Sequence, residues 1–281
     1  MFRHMTFSIV ARSADGESWG VAVASKFLAV GSAVPAAVAG VGAIATQAWV
    51  NVAYKGIALA HLDEGATAGV ALQRLLEEDD GRDHRQVGIV DMDGQAVSHT
   101  GSSCLDWAGG VTGESYAIQG NILVGEEVVT AMEAAFVGSD ADAPLSQRLL
   151  AALRAGDAAG GDARGRQSAA LLVVRDEAGL DGRDDVDVDL RVDDHATPIE
   201  ELQRLLELHE HLNAEVPEDE RTPDTPELFA EMDSRAQALG HSSFVVWIGV
   251  NNYENLGGDG WTATRLVEEL REATPDWRDP A

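Results

Sequence analysis

The sequence predicts an α+β protein: a four-layer αββα sandwich followed by a small, mostly helical C-terminal module. Three observations predict it. Short apolar runs bounded by Gly and Asp-Gly signals mark strands. Segments with apolar residues three or four apart come in two pairs, each pair after a group of strands. The main strand runs are apolar on both faces, which requires burial between layers with helices packed outside.

The elements follow in order. Phe7 to Ala11 and Ser18 to Ala24 read as strands around Asp15-Gly16, a hairpin signal. Gly40 to Gln47 reads as a third strand, ending an uncharged run from Phe27 to Val50 that is long enough for a bilayer but broken by Gly31, Pro35, Gly40 and Gly42. A buried strand, loop and strand fits that run better than a membrane span. Between Tyr54 and Glu78, Ile57, Leu59, Leu62, Val70, Leu72, Leu75 and Leu76 keep helical spacing, with Gly65 dividing two helices. Gln86 to Val90 and Gln95 to His99 make a hairpin about Asp93-Gly94. Tyr116 to Ile118 is a strand running into a Gln119-Gly120-Asn121 turn, and helices follow from Glu126 to Phe136 and from Leu145 to Ala155. Ser168 to Arg175 is an apolar strand, and Val186, Val188, Leu190 and Val192 alternate with charged residues as in a half-exposed strand. A helix from Leu202 to Leu212 ends the first domain, 6–213. Residues 214–225 have the Pro and charge content of a linker. The module, 226–281, has helical patterns around Leu228 to Leu239 and around Leu266 and Leu270.

The 48 acidic side chains against 20 basic ones give a net charge of −28. Self-repulsion on that scale opposes compactness at low ionic strength, and the screening length of about 3 Å at 1 M salt relieves it. The acid excess with almost no lysine is the composition of a halophile's cytoplasmic protein. Nucleic acid is disfavoured as a partner because the sign is wrong and no basic patch is visible. Cys104 is the only cysteine, which excludes a disulfide framework and a thiolate metal cluster. No basic segment followed by an apolar core marks a signal peptide, so no membrane association is expected.

Two residues stand out against this background. Read from Met5, the chain continues Thr6-Phe7-Ser8, and threonine is a nucleophile when it leads the mature chain, its own α-amine serving as the base. Lys26, one of only two lysines beside eighteen arginines, ends the apolar stretch from Val21. An ordinary strand residue at Thr6 and a lysine snorkelling from a strand end at Lys26 account for the same pattern without catalysis.

The motifs Thr-Phe-Ser-Ile-Val-Ala, Gly-Val-Ala-Val-Ala-Ser-Lys-Phe, Gly-Val-Gly-Ala-Ile-Ala-Thr-Gln, Gln-Gly-Asn and Gly-Asp-Ala-Arg-Gly-Arg-Gln-Ser-Ala-Ala occur in that order. Over Thr6 to Leu212 the chain resembles the family called domain of unknown function 1028, which is grouped with the N-terminal nucleophile hydrolases. The tail is similar to a peptidoglycan-binding-like module that often follows that domain. The resemblance implies a catalytic set of Thr6 as nucleophile, Lys26 as the charge that supports it, Gly120 at the oxyanion, and Asp162 and Ser168 near the terminal amine. The activating lysine of the proteasome β subunits, members of the wider superfamily, lies on a later element that has no lysine here. Ser25, Gln47, Asn51, Tyr54, Gln119 and Asn121 are the candidate substrate-binding residues.

Each assignment has a plainer counterpart. Gly120 serves a tight turn equally well, Asn121 a helix cap, Asp162 a loop ion pair with Arg164 or Arg166, and Gln47, Asn51 and Tyr54 the start of the next helix. His99 fits an edge position. Asp193-Asp194-His195 invites a metal, but Asp181 to Asp194 lacks the spaced ligands and glycine of a calcium loop, and solvated acidic surface is the better reading. No metal and no cofactor is expected.

The function expected is therefore an amide-bond hydrolase with a small-molecule or peptide amide as substrate, with homo-oligomerisation left open. The alternative is a non-catalytic binding protein that recognises a glycan, peptide or partner chain. A metal-dependent hydrolase is a third class, which stoichiometric metal in the purified protein would reveal. Two predictions follow from composition and from Thr6. The melting temperature should rise between dilute buffer and molar potassium chloride, and an unchanged value defeats the halophile reading. Intact-mass spectrometry of protein from the native gene should show a chain beginning at Thr6, whereas an active sample retaining Met1 to Met5 counts against it.

Overall fold

The hydrophobic pattern resolves into two sheets, each with its own helix pair, and a separate C-terminal unit in this computed structural model, which describes residues 6–105, 107–179 and 182–278. The first unit runs to Leu205 and the second begins at Leu206. In chain order the first contains β1 (Thr6–Arg12), β2 (Ser18–Ser25), the short α1 (Val30–Ala33), β3 (Pro35–Val38), β4 (Gly42–Ala48), α2 (Ala53–Asp63), α3 (Ala68–Glu77), β5 (Arg85–Asp91), β6 (Ala96–Thr100), β7 (Gly109–Gly113), β8 (Tyr116–Asn121), α4 (Glu127–Val137), α5 (Leu145–Ala158), β9 (Ser168–Arg175) and β10 (Val186–Val192). Helix α6 (Pro198–Asn213) carries the chain from the first unit into the second.

Six strands pair in the order β10-β9-β2-β1-β8-β7 and four in the order β3-β4-β5-β6, with antiparallel neighbours throughout. One apolar cluster joins Val10, Val21 and Val23 of the larger sheet to Ala43, Ala45 and Val90 of the smaller. A second packs Tyr54, Ala58, Leu62, Ala71 and Leu75 of α2 and α3 on Ile44, Val87 and Ile89. Side chains alternate faces along a strand, so Phe7 turns away from the smaller sheet and meets Gly156 of α5, while its neighbours Thr6 and Ser8 face it. The fold is mixed α+β.

Local signals explain most element ends. Gly16 takes the left-handed conformation the β1–β2 turn requires (φ 80°), and Gly65 (φ 87°) ends the α2 segment before Thr67 caps α3. Asp91 ties the β5–β6 turn to α3: one carboxylate oxygen accepts from the Asp93 and Gln95 N–H groups and the other from Ala68 N–H at 2.8 Å. The run 27–50 holds two strands, β3 and β4, joined by a turn, with the short helix α1 ahead of them. Gln119, Gly120 and Asn121 lie inside β8 and not in a turn, because the glycine-rich β7 pairs with β8 and extends it.

The second unit has β11 (Arg221–Pro223), α7 (Pro226–Ala238), α8 (Phe244–Asn251), β12 (Gly257–Gly258), β13 (Trp261–Ala263) and α9 (Thr264–Ala273), with a three-stranded sheet ordered β11-β13-β12. The segment expected to be a linker, 214–225, is packed: Val216 joins the core of Met232, Phe244, Trp247, Leu256, Leu266 and Leu270, and β11 pairs with β13. Pro and charge content misled here because a short strand needs only three residues and one buried valine to be held. Among the described residues no helix is long and apolar enough to cross a membrane.

Asp79 organises the entry to β5. Its carboxylate accepts from Arg85 Nε at 2.7 Å, Tyr54 Oη at 2.8 Å and Gly81 N–H at 2.7 Å. The Arg85 bond, followed by those from Tyr54 and Gly81, holds the Asp79 carboxyl well below the usual carboxylate range. Burial, reinforced by Asp79, pushes the Tyr54 hydroxyl above its usual value. A depressed folded pKa contributes stability that is present above the unfolded value and lost as pH falls through the folded one. Asp79→Asn should therefore cost about 3 kcal/mol near neutral pH, as one-sided removal of a mostly buried pair does, and the gap to the parent should narrow between about pH 5 and about pH 2. Urea melts across that range check it, and a constant gap contradicts it.

Candidate functional site

At one end of the space between the sheets the packing changes from apolar to polar. The register places Ser25 opposite Ser168 and Thr6 opposite Asn121. Continuing the pairing of Phe7 with Ala24 sets Thr6 opposite Ser25, and the Thr6 hydroxyl donates to Ser25 Oγ at 3.2 Å. Ser168, Ser25, Thr6 and Asn121 thus form one row across β9, β2, β1 and β8. All four are buried, Thr6 to 2% exposure.

The smaller sheet meets this row with two glutamines. Gln47 Nε2 donates to the Thr6 carbonyl at 3.2 Å and to Gln86 Oε1 at 2.8 Å, and its Oε1 accepts from Ser8 Oγ at 2.6 Å. Gln86 Oε1 also accepts from Asn121 Nδ2 at 3.0 Å, and its Nε2 faces the Gly120 carbonyl at 2.7 Å and Thr100 Oγ1 at 2.9 Å. Gln119 Nε2 closes the chain onto Ser8 Oγ at 2.7 Å. Gln119 Oε1 is buried without a hydrogen-bond partner among the described residues, and its amide would clash with a Cβ on Gly88, so any larger residue there would have to displace Gln119. The six side chains of Ser8, Gln47, Gln86, Gln119, Asn121 and Thr6 are all uncharged, which spares the layer the cost of burying an ion.

Charge gathers at the rim of the row. Lys26 follows Ser25 directly; its backbone N–H donates to Asp162 Oδ2 at 2.7 Å, and its exposed ammonium donates to the Arg166 carbonyl at 3.1 Å. Asp162, its side chain only 3% exposed, also accepts from Arg164 N–H at 2.9 Å and Arg164 Nη2 at 3.1 Å. Arg166 pairs with Asp157 at 2.7 Å. Ser168 Oγ donates to the Phe27 carbonyl and accepts from Val30 N–H at 3.1 Å, fixing the segment after Lys26.

Of the expected site residues, Thr6, Ser25, Gln47, Gln119, Gly120, Asn121 and Ser168 come together in or beside the row, and Lys26 and Asp162 stand at its rim. Gly120 is paired on both sides, with Phe7 and with Gly109, and a Cβ there would press on the Leu123 side chain. The turn into α4 begins one residue beyond Asn121, at Ile122 (φ 51°). Asn51 and Tyr54 are drawn elsewhere: Asn51 Oδ1 accepts from Ala53 N–H at the start of α2, and Tyr54 bonds Asp79. His99 bonds the Arg82 carbonyl, and Asp194 accepts from Gln167. Among the described residues no three His, Cys, Asp or Glu side chains converge as a metal site. Met1 to Met5 lie outside the described residues.

Gln86 and Ser8 were not among the expected residues. Their signal is a polar side chain on the inward face of a strand that also turns an apolar residue inward, Val90 in β5 and Val10 in β1. The sequence shows that alternation but not which face is inward.

Residues 6–202 match the model described as a family of unknown function, DUF1028. A crystal structure of a Silicibacter pomeroyi protein carrying the same family model is 34% identical, with a TM-score of 0.66 over 73% of this chain and 89% of that one. Anbu, an ancestral beta-subunit from Yersinia bercovieri, is 13% identical with a TM-score of 0.34, over 75% of this chain and 98% of that one. No protein with a curated description matches the chain. The match across 6–202, with a solved relative at 34% identity, shows that this chain belongs to the DUF1028 family.

Proposed function

We propose that the first unit is a four-layer αββα sandwich of the N-terminal nucleophile type and that it hydrolyses an amide through Thr6. The observation that carries this reading is the buried row of Ser168, Ser25, Thr6 and Asn121 at one end of the inter-sheet space, with Thr6 at the start of its strand. The packing of one helix pair on the smaller sheet and of α5 on β1 supports the layering.

In a chain that begins at Thr6, Oγ1 attacks the substrate carbonyl carbon and its proton passes to the Thr6 α-amine. The amine returns the proton to the departing nitrogen as the C–N bond breaks, leaving an ester on Thr6. Water, deprotonated by the same amine, then releases the acid. Ser25 orients the Thr6 hydroxyl, and Gly120 and Asn121, engaged by the neighbouring strands and by Gln86, hold the end of β8 beside it. Asp162 and Ser168 are positioning residues, since their polar atoms hold the backbone at Lys26 and at Val30. The Lys26 ammonium donates to the Arg166 carbonyl, and no proton of Thr6 is routed through it here.

A second reading, a non-catalytic binding protein with a peptidoglycan-binding-like tail, is favoured by Val245 and Val250, which are 64% and 62% exposed on α8. The two are separated by an acylating probe directed at hydroxyls and amines, applied to protein beginning at Thr6 and read by intact mass. Thr6 should carry the adduct. Thr6→Ala should lower the acylation rate by about 10⁴-fold or more, the scale on which loss of a nucleophile acts. Ser25→Ala should lower it about five-fold, the worth of one neutral hydrogen bond. Equal labelling of the parent and Thr6→Ala contradicts the hydrolase.

A further inference from the structure

We propose that Lys26 anchors a carboxylate on the substrate, so that the amide presented to Thr6 belongs to an anionic compound. This rests on the reading of Thr6 as the nucleophile. An ammonium has three donors, and the one partner of Lys26 Nζ among the described residues is the neutral Arg166 carbonyl. The other two cations of the rim are already neutralised, Arg164 by Asp162 and Arg166 by Asp157. Asp162 is nearly saturated by N–H donors and almost fully buried, so its charge is spent on the loop it holds.

The background makes this arrangement informative. The chain carries 48 carboxylates and a net charge of −28, yet no carboxylate of a described residue pairs with Lys26, the residue that follows Thr6's hydroxyl partner Ser25. Elsewhere an anionic substrate meets a repelling surface. At the end of β2 it meets an exposed ammonium with no carboxylate partner among the described residues, on a flexible stem that suits a point-charge contact to a carboxylate. A neutral amide would leave that charge unused, and a cationic one would be rejected by it.

The test uses protein beginning at Thr6 and two β-lactone acylating probes, identical except that one bears a carboxylate and the other the matching primary carboxamide. Second-order rates of Thr6 acylation are read by intact mass. The parent should prefer the carboxylate probe by about five-fold, the scale of one solvent-exposed charge pair, and added salt should shrink that preference. Lys26→Met should abolish the preference, with the loss falling on the carboxylate probe, and Lys26→Arg should restore part of it. Lys55→Met, the same change of charge on α2, should leave the preference in place. An equal fall for both probes in Lys26→Met overturns the proposal, because Lys26 then acts on Thr6 and not on the substrate. Carboxamide labelling of Thr6 without any preference in the parent overturns it while leaving the Thr6 hydrolase standing. Failure of both probes to label Thr6 overturns the two together.

Discussion

Every polar atom that the two sheets bury between them at the start of β1 has to find its partner inside the protein, and the rest of the site depends on that requirement. An amide left unpaired there costs about 1–3 kcal/mol. The chain meets it with a relay from Gln119 through Ser8 and Gln47 to Gln86, which is closed by Asn121 and by the Gly120 carbonyl. The relay works in one register of the sheets only, since a shift of one residue would turn each of these side chains to the opposite face. The Thr6 backbone is held as a by-product, through its carbonyl on Gln47. The unpaired Gln119 Oε1 against Gly88 is the point where the relay is not fully satisfied.

The division of labour between neutral interior and charged rim follows from the same physics. Uncharged amides and hydroxyls tolerate burial when bonded, whereas carboxylates and cations do not unless paired. The charges are therefore at the margin, where Asp162 gathers the Lys26 and Arg164 N–H groups and binds the loop before β9 to the end of β2. Thr6 is left in a neutral layer with the charges at its margin.

Much of the fold is legible in the sequence for local reasons. Ser168 to Arg175 reads as a strand because six apolar residues follow one another between polar ends, and Asp15-Gly16 and Asp93-Gly94 mark turns that need positive φ. β7 is not legible, because Gly109, Gly110 and Gly113 have weak strand preference and the segment is held by pairing with β8. Thr6 and Ser25 are legible as polar residues beside strand ends, whereas Asn121 reads as part of a turn and lies in β8. Their assembly into a row is a matter of register, which no local signal carries. Asn51 and Tyr54 follow Gln47 closely in sequence, but α2 begins between them and directs Tyr54 to Asp79, whose other partner Arg85 lies on β5. Gln86 is the hub of the relay and reads in the sequence as one polar residue beside an apolar strand.

The central claim is that Gln47 and Gln86 act as one unit in fixing the row that contains Thr6. A double-mutant cycle with Gln47→Leu, Gln86→Leu and both together, read as unfolding free energies in urea, tests it most directly. The account predicts a coupling of about 1–2 kcal/mol, since either single change already removes the Gln47–Gln86 bond and the double change loses it only once. Free energies that add to within about 0.5 kcal/mol, the behaviour of independent sites, would contradict it.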